Sequence, residues 1–413
     1  MQTRTRSVGN TSWREAFFTE RRLTSKLKHL ILTSYVKEFA YHLGSVRPTI
    51  YYVDGFAGPG SYGHASAGSE PGSPVLIAEF ARQLQGTSAR FILKCLNVEE
   101  QFYKQLEGAT APFAGQIVEK NYHSPFIDAL GDILQRIGNA PAFFFLDPFG
   151  TKGIPFRNLL PLFNRKARTE IFITLHTDGI AKKAGWLASL DDADVQKRKT
   201  ALALTENLAE ALYLSRDELR SWWAECVKNG NGGTAAFEQR ILQHYRTILR
   251  SHHTKLQFTK AFPVYYYGPD APPGDEASIC FYLVFGTQHK KGLYEMNDCM
   301  VKALDSFYQQ EYSHTFFPLF RDQIDKPKNL DRLQEEILTQ FRVGPFTIDQ
   351  AKQCLMQDSS ILISGKYYRD AVIRLRKSGR LEQLDPGQVN NERTRFQVLP
   401  RPSESSIHST KVQ

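Results

Sequence analysis

Thr49-Ile50-Tyr51-Tyr52-Val53-Asp54-Gly55-Phe56-Ala57-Gly58-Pro59-Gly60 predicts a strand followed by a glycine turn, and the rest of the sequence is interpreted around it. Its first half is apolar and rich in β-branched and aromatic residues, which is typical of a buried parallel strand. Its second half is a turn in which Gly58 and Gly60 let the backbone approach a ligand closely, just after an acid at the strand end. The alternative interpretation is a tight strand-to-loop turn that binds nothing.

The size and composition of the chain indicate an ordinary globular protein. Its 413 residues suffice for one large α/β domain and a smaller second one. No apolar run approaches the ~20 residues that span a bilayer, and the polar, basic N-terminus does not resemble a signal peptide, so we expect a cytoplasmic protein without a membrane partner. The five cysteines are scattered, which favours neither disulfides nor a zinc site, and no metal site is predicted.

The positive charge of the chain permits a nucleic-acid partner. The formal net charge is +9, and the excess of Lys and Arg is concentrated at the two ends of the sequence. A basic balance of this kind is compatible with phosphate binding but does not establish it.

The string Asp-x-Phe-Ala-Gly-x-Gly resembles the first motif of S-adenosylmethionine-dependent methyltransferases with a Rossmann-like fold. The resemblance implies S-adenosylmethionine as cofactor and an acid at the end of the second strand that accepts hydrogen bonds from the cofactor ribose. Glu99 is the residue expected there, with Glu100 as the alternative, and either acid could instead open the next helix. Asn121, after the third strand, stands where related folds place a partner for the adenine amino group. The predicted cofactor-binding residues are therefore Asp54, Gly55, Phe56, Ala57, Gly58, Gly60, Glu99 and Asn121.

The fourth strand, Ala142 to Leu146, ends in Asp147-Pro148-Phe149-Gly150. Ligands of open α/β sheets bind beyond the carboxyl ends of the strands at the switch point, so Asp147 is expected to face the reactive end of the cofactor. Amino-group methyltransferases have Asp/Asn-Pro-Pro-aromatic here, and this chain departs from that pattern at its third and fourth positions. We predict catalytic roles for Asp147, Pro148 and Phe149, in which the acid accepts a hydrogen bond from the substrate and the ring stacks on a flipped base. The alternative is a structural Asp-Pro turn.

Several further elements are predicted around this centre. A long amphipathic helix precedes the first strand, and its basic residues, Lys28 among them, are interpreted as a solvated face or as phosphate contacts. His176, after the fifth strand, is interpreted as either a pocket residue or a hydrogen-bonded turn histidine, and the second interpretation is favoured. Residues 183–255 are predicted to form a helical insertion, and two strands near 258–267 and 279–288 close the sheet.

The C-terminal sequence predicts a second domain. Residues 322–330 are interpreted as a linker, and residues 331–399 show the order of a winged helix, with three helices followed by a hairpin. The third helix carries Lys366, Arg369, Arg374 and Lys377, which are predicted to contact nucleic acid. A winged helix used for protein contact is an equally open interpretation. Residues 1–12 and 400–413 are predicted to be disordered, and residues 13–321 form the Rossmann-like domain.

Four strings in order, Asp-x-Phe-Ala-Gly-Pro-Gly, Gly-Ser-Pro, Asp-Pro-Phe-Gly and Phe-Gly-Thr-x-His-x-x-Gly, resemble the three-Cys-motif partner protein family (TcmP). The resemblance covers residues 14–308 and implies a partner protein with a three-cysteine motif. We therefore expect an α/β protein with a Rossmann-like methyltransferase sheet, a helical insertion and a C-terminal winged helix. Its expected activity is methylation of nucleic acid, with a base amino group as one candidate acceptor, and two alternatives stay open. Those alternatives are a non-catalytic adaptor for the three-cysteine partner and a winged-helix DNA-binding regulator.

Overall fold

The structure is a computed structural model, and it describes most of the chain. The described residues are 17–63, 69–87, 89–150, 153–176, 186–187, 190, 194–228, 233–251, 253–265, 279–312, 325–386 and 393–400. The predictions of disorder concern residues 1–12 and 400–413, and all of these except Pro400 lie outside the described ranges. The chain divides into two units, an N-terminal unit of residues 1–272 and 276–289 and a C-terminal unit of residues 273–275 and 290–413.

The N-terminal unit is built on a seven-stranded sheet of the Rossmann-like α/β kind. Its strands in chain order are β1 (Thr49–Asp54), β4 (Ile92–Val98), β5 (Val118–Tyr122), β6 (Ala142–Leu146), β7 (Thr169–Leu175), β8 (Phe258–Tyr265) and β9 (Ile279–Thr287). Two further short strands, β2 (Ser61–Tyr62) and β3 (Glu70–Pro71), pair with each other after the glycine turn. The order across the sheet is β5-β4-β1-β6-β7-β9-β8. Strand β9 runs antiparallel to both of its neighbours, β7 and β8, and the other neighbouring pairs are parallel.

This strand order fixes where a ligand can bind. The chain moves from β1 outward to β4 and β5, then crosses to the other side of β1 to form β6 and β7. The order therefore reverses between β1 and β6, and a crevice forms beyond their carboxyl ends. The prediction of the first and fourth strands as neighbours is confirmed by their register, in which Asp54 lies beside Phe145.

Helices cover both faces of the sheet, so its central strands are buried throughout. Every residue of β6 is buried, and because side chains alternate along a strand, Phe143 and Phe145 face one helical layer while Phe144 and Leu146 face the other. The helices of this unit are α1 (Leu23–Gly44), α2 (Ser73–Gln85), α3 (Tyr103–Thr110), α4 (Phe126–Ile137), α5 (Phe156–Phe163), α6 (Val195–Leu212), α7 (Arg216–Trp223) and α8 (Gly233–Leu249). Helices α6 to α8 lie within the predicted insertion, 183–255.

Helix α1 is fastened to the sheet by a buried polar contact. The Tyr35 hydroxyl donates a hydrogen bond of 2.6 Å to one oxygen of Glu170 on β7, and the Thr287 hydroxyl on β9 donates one of 2.9 Å to the other oxygen. The Tyr35 ring also packs edge-on against Phe285, with 5.0 Å between ring centroids. Glu170 is only 4% exposed, so these hydroxyls satisfy a carboxylate that would otherwise be costly to bury.

The C-terminal unit contains four described helices and a three-stranded antiparallel sheet. The helices are α9 (Lys290–Tyr312), α10 (Lys326–Gln340), α11 (Ile348–Asp358) and α12 (Lys366–Lys377), and the strands are β10 (Phe346–Thr347), β11 (Leu381–Gln383) and β12 (Arg395–Val398). The sheet order is β10-β12-β11.

Two boundaries of this unit differ from the predicted ones. Helix α9 belongs here and not to the sheet domain, because the Asn297 side-chain amide donates to the Ile363 carbonyl (2.9 Å) and Asp298 accepts from the Gly365 amide (2.8 Å). The predicted linker 322–330 is helical from Lys326 onward, since Asp325 caps the helix by accepting from the Lys328 amide. Proline at the start of a helix loses no hydrogen bond, so Pro327 does not prevent this.

A search of the described helices for a bilayer-spanning segment finds none with the necessary length and apolar character.

Candidate functional site

A cavity of about 650 Å³ lies beyond the carboxyl ends of β1 and β6. The glycine turn after β1 and the Asp147 turn after β6 line it, together with α1, the N-terminus of α2, and the ends of β7 and β9. Its lining residues are Phe17, Phe18, Arg22, Thr24, Ser25, Lys28, His29, Phe56, Ala57, Pro59, Gly60, Ser61, Tyr62, Gly72, Ser73, Asp147, Pro148, Phe149, Gly150, His176, Cys280 and Phe281. Six predicted site residues are thus brought together: Phe56, Ala57, Gly60, Asp147, Pro148 and Phe149.

Asp147 is the acidic group of the cavity. Its Oδ2 accepts a hydrogen bond from the Lys28 ammonium, while its buried Oδ1 has no hydrogen-bond partner among the described residues. Burial by itself raises the pKa of Asp147, but the charges of Lys28 and His176, followed by the Lys28 hydrogen bond and the nearby Thr174 hydroxyl, outweigh it and hold the pKa below its ordinary value. Asp147 is therefore an anion at neutral pH, with one oxygen available to a ligand.

Lys28 lies inside the cavity and not on a solvated helix face, which corrects the prediction for this residue. Its side chain is 5% exposed, and its ammonium nitrogen lies 5.4 Å from the centroid of the Phe281 ring. The pattern of basic residues in α1 suggested exposure because the apolar stripe of the helix did not include Lys28. Its partner Asp147 is 119 residues away, so the pairing has no local signal in the sequence.

His29 adds a second unsatisfied polar atom to the cavity wall. The residue is 5% exposed, and its Nδ1 has no hydrogen-bond partner among the described residues. Burial, followed by the charges of Lys28 and Arg21, lowers the pKa of His29 to about 3. His29 is consequently a neutral imidazole at physiological pH. No pattern in the sequence marks His29 as a cavity residue.

Asp54 supports the glycine turn from beneath. It is fully buried and accepts hydrogen bonds from the Tyr52 hydroxyl (2.9 Å) and the Phe56 amide (3.3 Å). Burial raises the pKa of Asp54 to about 6, against the opposing effect of hydrogen bonds that include one from Ser73. Asp54 is not among the lining residues, so it shapes the turn. Gly55 lies next to it, where an added Cβ would meet Leu146 at 2.6 Å.

Gly58 and Gly60 both have positive φ angles, +60° and +80°, which L side chains rarely adopt. An added Cβ on Gly60 would come within 2.8 Å of the Ala109 side chain on α3, and one on Gly58 would come within 2.8 Å of the Phe18 ring. The glycines were predicted to let a ligand approach. Gly60 lines the cavity, and the Phe18 ring covers Gly58.

Glu99 and Asn121 use their side chains within the protein. The Glu99 carboxylate accepts from the amides of Gly58 (2.9 Å), Gln101 (2.8 Å) and Phe102 (3.0 Å), which joins the glycine turn to the start of α3. Asn121 accepts from the Asn97 side-chain amide (2.8 Å) and donates to the Thr110 hydroxyl (2.8 Å). Neither is among the described lining residues of the cavity.

His176 lines the cavity, which agrees with its interpretation as a pocket residue and not with the favoured interpretation as a turn histidine. Its ring packs against Phe281 with 5.4 Å between centroids, and its charge acts on Asp147. The position at the end of β7, one strand from β6, was the available signal for this placement.

The basic residues predicted to bind nucleic acid form one exposed face of α12 in the C-terminal unit. Lys366, Arg369, Arg374 and Lys377 are all exposed. The buried residues of the helix, Tyr368, Ala371, Val372 and Leu375, lie on its opposite face.

Comparisons with known proteins add little to this geometry. No family model matches the sequence, and no curated protein matches it. Among solved structures, the chain is similar to the crystal structure of protein LPL1258 from Legionella pneumophila str. Philadelphia 1 (family-model DUF519), at 10% identity and a TM-score of 0.38. The match covers 70% of this chain and 94% of that one. A similarity at this level does not identify a function.

Proposed function

We propose that the N-terminal unit is an S-adenosylmethionine-dependent methyltransferase that acts on nucleic acid. The observation that carries the proposal is the cavity between the β1 glycine turn and the β6 turn, into which Asp147 brings a carboxylate with an unpartnered oxygen. The strand order, with the seventh strand antiparallel, is the order that the resemblance to Rossmann-like methyltransferases implies.

The residues of the cavity fit such a cofactor. A volume of about 650 Å³ lies within the range of small-molecule sites, ~300–1,000 Å³. The buried, unpartnered atoms, Oδ1 of Asp147 and Nδ1 of His29, are polar groups of the kind that a ligand satisfies. Phe56, Ala57 and Gly60 would hold the cofactor along the glycine turn, with Ser73 and His29 as further polar contacts.

S-adenosylmethionine, when bound, supplies an electrophilic methyl group on its sulfonium sulfur. The contribution of the protein is then chiefly to orient the nucleophile, since alignment of the reacting atoms is a large part of what such an enzyme provides. Asp147 Oδ1 accepts a hydrogen bond from a substrate N–H or O–H and so directs the lone pair of that atom. Lys28 fixes the other oxygen of the carboxylate and keeps it ionised. Phe149 offers a ring on which a base stacks.

Calorimetry with S-adenosylmethionine, followed by radiolabelled methyl transfer to DNA and RNA, tests the proposal. Asp147→Asn is expected to leave cofactor affinity within about twofold and to reduce turnover by ~10²-fold, the scale of a lost orienting acid–base group. Asp128→Asn, at a carboxylate in the first turn of α4, is the matched control. Loss of cofactor binding in Asp147→Asn would place Asp147 in the cofactor site, and a wild type that binds no S-adenosylmethionine would refute the proposal.

We also infer that the C-terminal unit is a winged helix that binds nucleic acid through α12. The order of three helices and a β10-β12-β11 sheet supports the fold, and the basic exposed face of α12 supports the ligand. On duplex DNA, the slope of log affinity against log salt concentration is about −0.9 for each phosphate that the protein neutralises. The double variant Arg374→Gln, Lys377→Gln should therefore reduce the magnitude of that slope by about 1.8. Arg342→Gln, at an exposed arginine outside α12, serves as control, and an unchanged slope in the double variant would leave protein contact as the role of α12. The three-cysteine partner and the adaptor role remain predictions from the resemblance.

A further inference from the structure

Phe18 lies directly on the glycine turn. Its ring is the nearest neighbour of a Cβ built on Gly58, at 2.8 Å, so ring and backbone are in close contact. The ring is enclosed by other aromatic side chains, with centroid distances of 5.2 Å to Phe102, 5.7 Å to Tyr62 and 5.9 Å to Phe149. An aromatic slot against the backbone of a glycine turn therefore exists, and the protein fills it with a residue of its own.

The position of this ring explains why the predicted cofactor residues fall into two groups. Phe56, Ala57 and Gly60 line the cavity, whereas Gly58 and Glu99 are absent from its described lining. Phe18 contacts both groups: it lines the cavity, it covers Gly58, and it packs on Phe102, whose amide donates to Glu99. The Phe18 ring thus lies between the part of the cavity that contains Asp147 and the Glu99 carboxylate, which follows β4.

The segment that carries Phe18 is outside α1, which begins at Leu23. The Phe18 carbonyl accepts a hydrogen bond of 2.8 Å from the Gly63 amide, just after β2. Phe18 itself is only half-buried. Displacing residues 17–22 therefore breaks this hydrogen bond, the aromatic contacts and the Arg21–Glu70 ion pair (2.8 Å), but it does not require α1 to unwind.

We propose that the Phe18 ring stands where the nucleoside of the cofactor binds, so that residues 17–22 form an autoinhibitory strap that must move away before the nucleoside can enter. This inference rests on the proposed function and adds a regulatory step to it. Because only the open form binds, the apparent dissociation constant is the intrinsic one divided by the open fraction. Anything that holds residues 17–18 away from the turn then activates the enzyme.

Titration of wild type and Phe18→Ala with S-adenosylmethionine and with adenosine tests the strap. We expect Phe18→Ala to bind both ligands at least fivefold more tightly, because no ring competes for the slot. Tyr41→Ala removes an aromatic ring from α1 outside the cavity, where Tyr41 is 52% exposed, and should change neither affinity. Equal or weaker binding by Phe18→Ala, with wild-type binding intact, overturns the strap alone, whereas no binding by either protein overturns the strap and the proposed function together.

A measurement on the unmodified protein avoids any dependence on how the variant folds. Saturating S-adenosylmethionine should speed hydrogen exchange at the Gly63 amide, because the bond from this amide to the Phe18 carbonyl breaks when the strap opens. Unchanged or slower exchange at Gly63 in the cofactor complex would show that Phe18 stays in place, and the proposal would fall.

Discussion

Lys28→Met removes the charge that faces Asp147 while keeping a flexible apolar side chain of similar length. Breaking a buried ion pair by removing one partner costs about 3–5 kcal/mol, because the other charge is left uncompensated. Lys28 is 5% exposed and Asp147 23% exposed, so solvent relieves part of that cost, and we expect a loss of about 2–3 kcal/mol in the free energy of unfolding at pH 7.

The dependence of this loss on pH follows from the sign of the Asp147 shift. The pKa of Asp147 is held below its ordinary value, so the group contributes stability above the unfolded pKa and loses it as pH falls through the folded one. Without Lys28, burial raises the pKa, and the variant escapes its penalty by binding a proton. The difference between wild type and Lys28→Met should therefore be largest near neutral pH and narrow as pH falls toward 4.

Urea unfolding, monitored by tryptophan fluorescence, measures the free energy of unfolding of the N-terminal unit, which contains both Lys28 and Asp147. All four tryptophans, at positions 13, 186, 222 and 223, belong to the N-terminal unit, so the signal reports on that unit even if the two units unfold separately. The control Lys37→Met, at an exposed lysine of the same helix, should change the free energy of unfolding by no more than about 0.5 kcal/mol relative to wild type. A cycle of Lys28→Met, Asp147→Asn and the double variant should give a coupling near 2 kcal/mol, and additivity within about 0.5 kcal/mol would refute the argument.

Two further predictions concern the glycine turn. The pKa of Asp54 is raised to about 6 in the fold, so the folded state binds the proton more tightly than the unfolded one. In urea titrations at several pH values, the free energy of unfolding of the wild type should fall as the pH rises from about 4 to about 6, and that of Asp54→Asn should not. Gly60→Ala should lower the thermal midpoint and reduce the free energy of unfolding by about 1–3 kcal/mol, because the residue needs a φ of +80° and its Cβ would meet Ala109 at 2.8 Å. Gly108→Ala, inside α3 with nothing within 4 Å of the new Cβ, should instead stabilise by about 0.5–1 kcal/mol; the reverse order of these two variants would contradict the reasoning.

The sequence was informative about the sheet because strands and turns have local signals. The stretch 142–146 is continuously apolar and ends at Asp-Pro, so both the strand and the placement of Asp147 followed from neighbours in the chain. The position of β6 beside β1 in the sheet followed from the order of the strands along the chain. These arguments need only residues that are close in sequence.

The cavity walls depend on contacts between distant residues and escaped prediction for that reason. The Lys28–Asp147 pair and the Phe18 ring over Gly58 each join α1 or the segment before it to a strand end far along the chain. A basic residue in a helix gives the same pattern whether it faces water or a buried carboxylate. Glu99 showed a related ambiguity, since an acid after a strand can hold a ligand or, as here, backbone amides.

The contact of Tyr35 with Glu170 has a consequence for how the protein can be shortened. A fragment that began at β1 would look natural from the sheet alone, but it would strip a hydroxyl from a carboxylate that is 4% exposed and uncover the phenyl rings of Phe143 and Phe285. The same cut would also delete Lys28 and His29. Helix α1 is therefore inseparable from the sheet it precedes, and the smallest autonomous version of the N-terminal unit starts before residue 23.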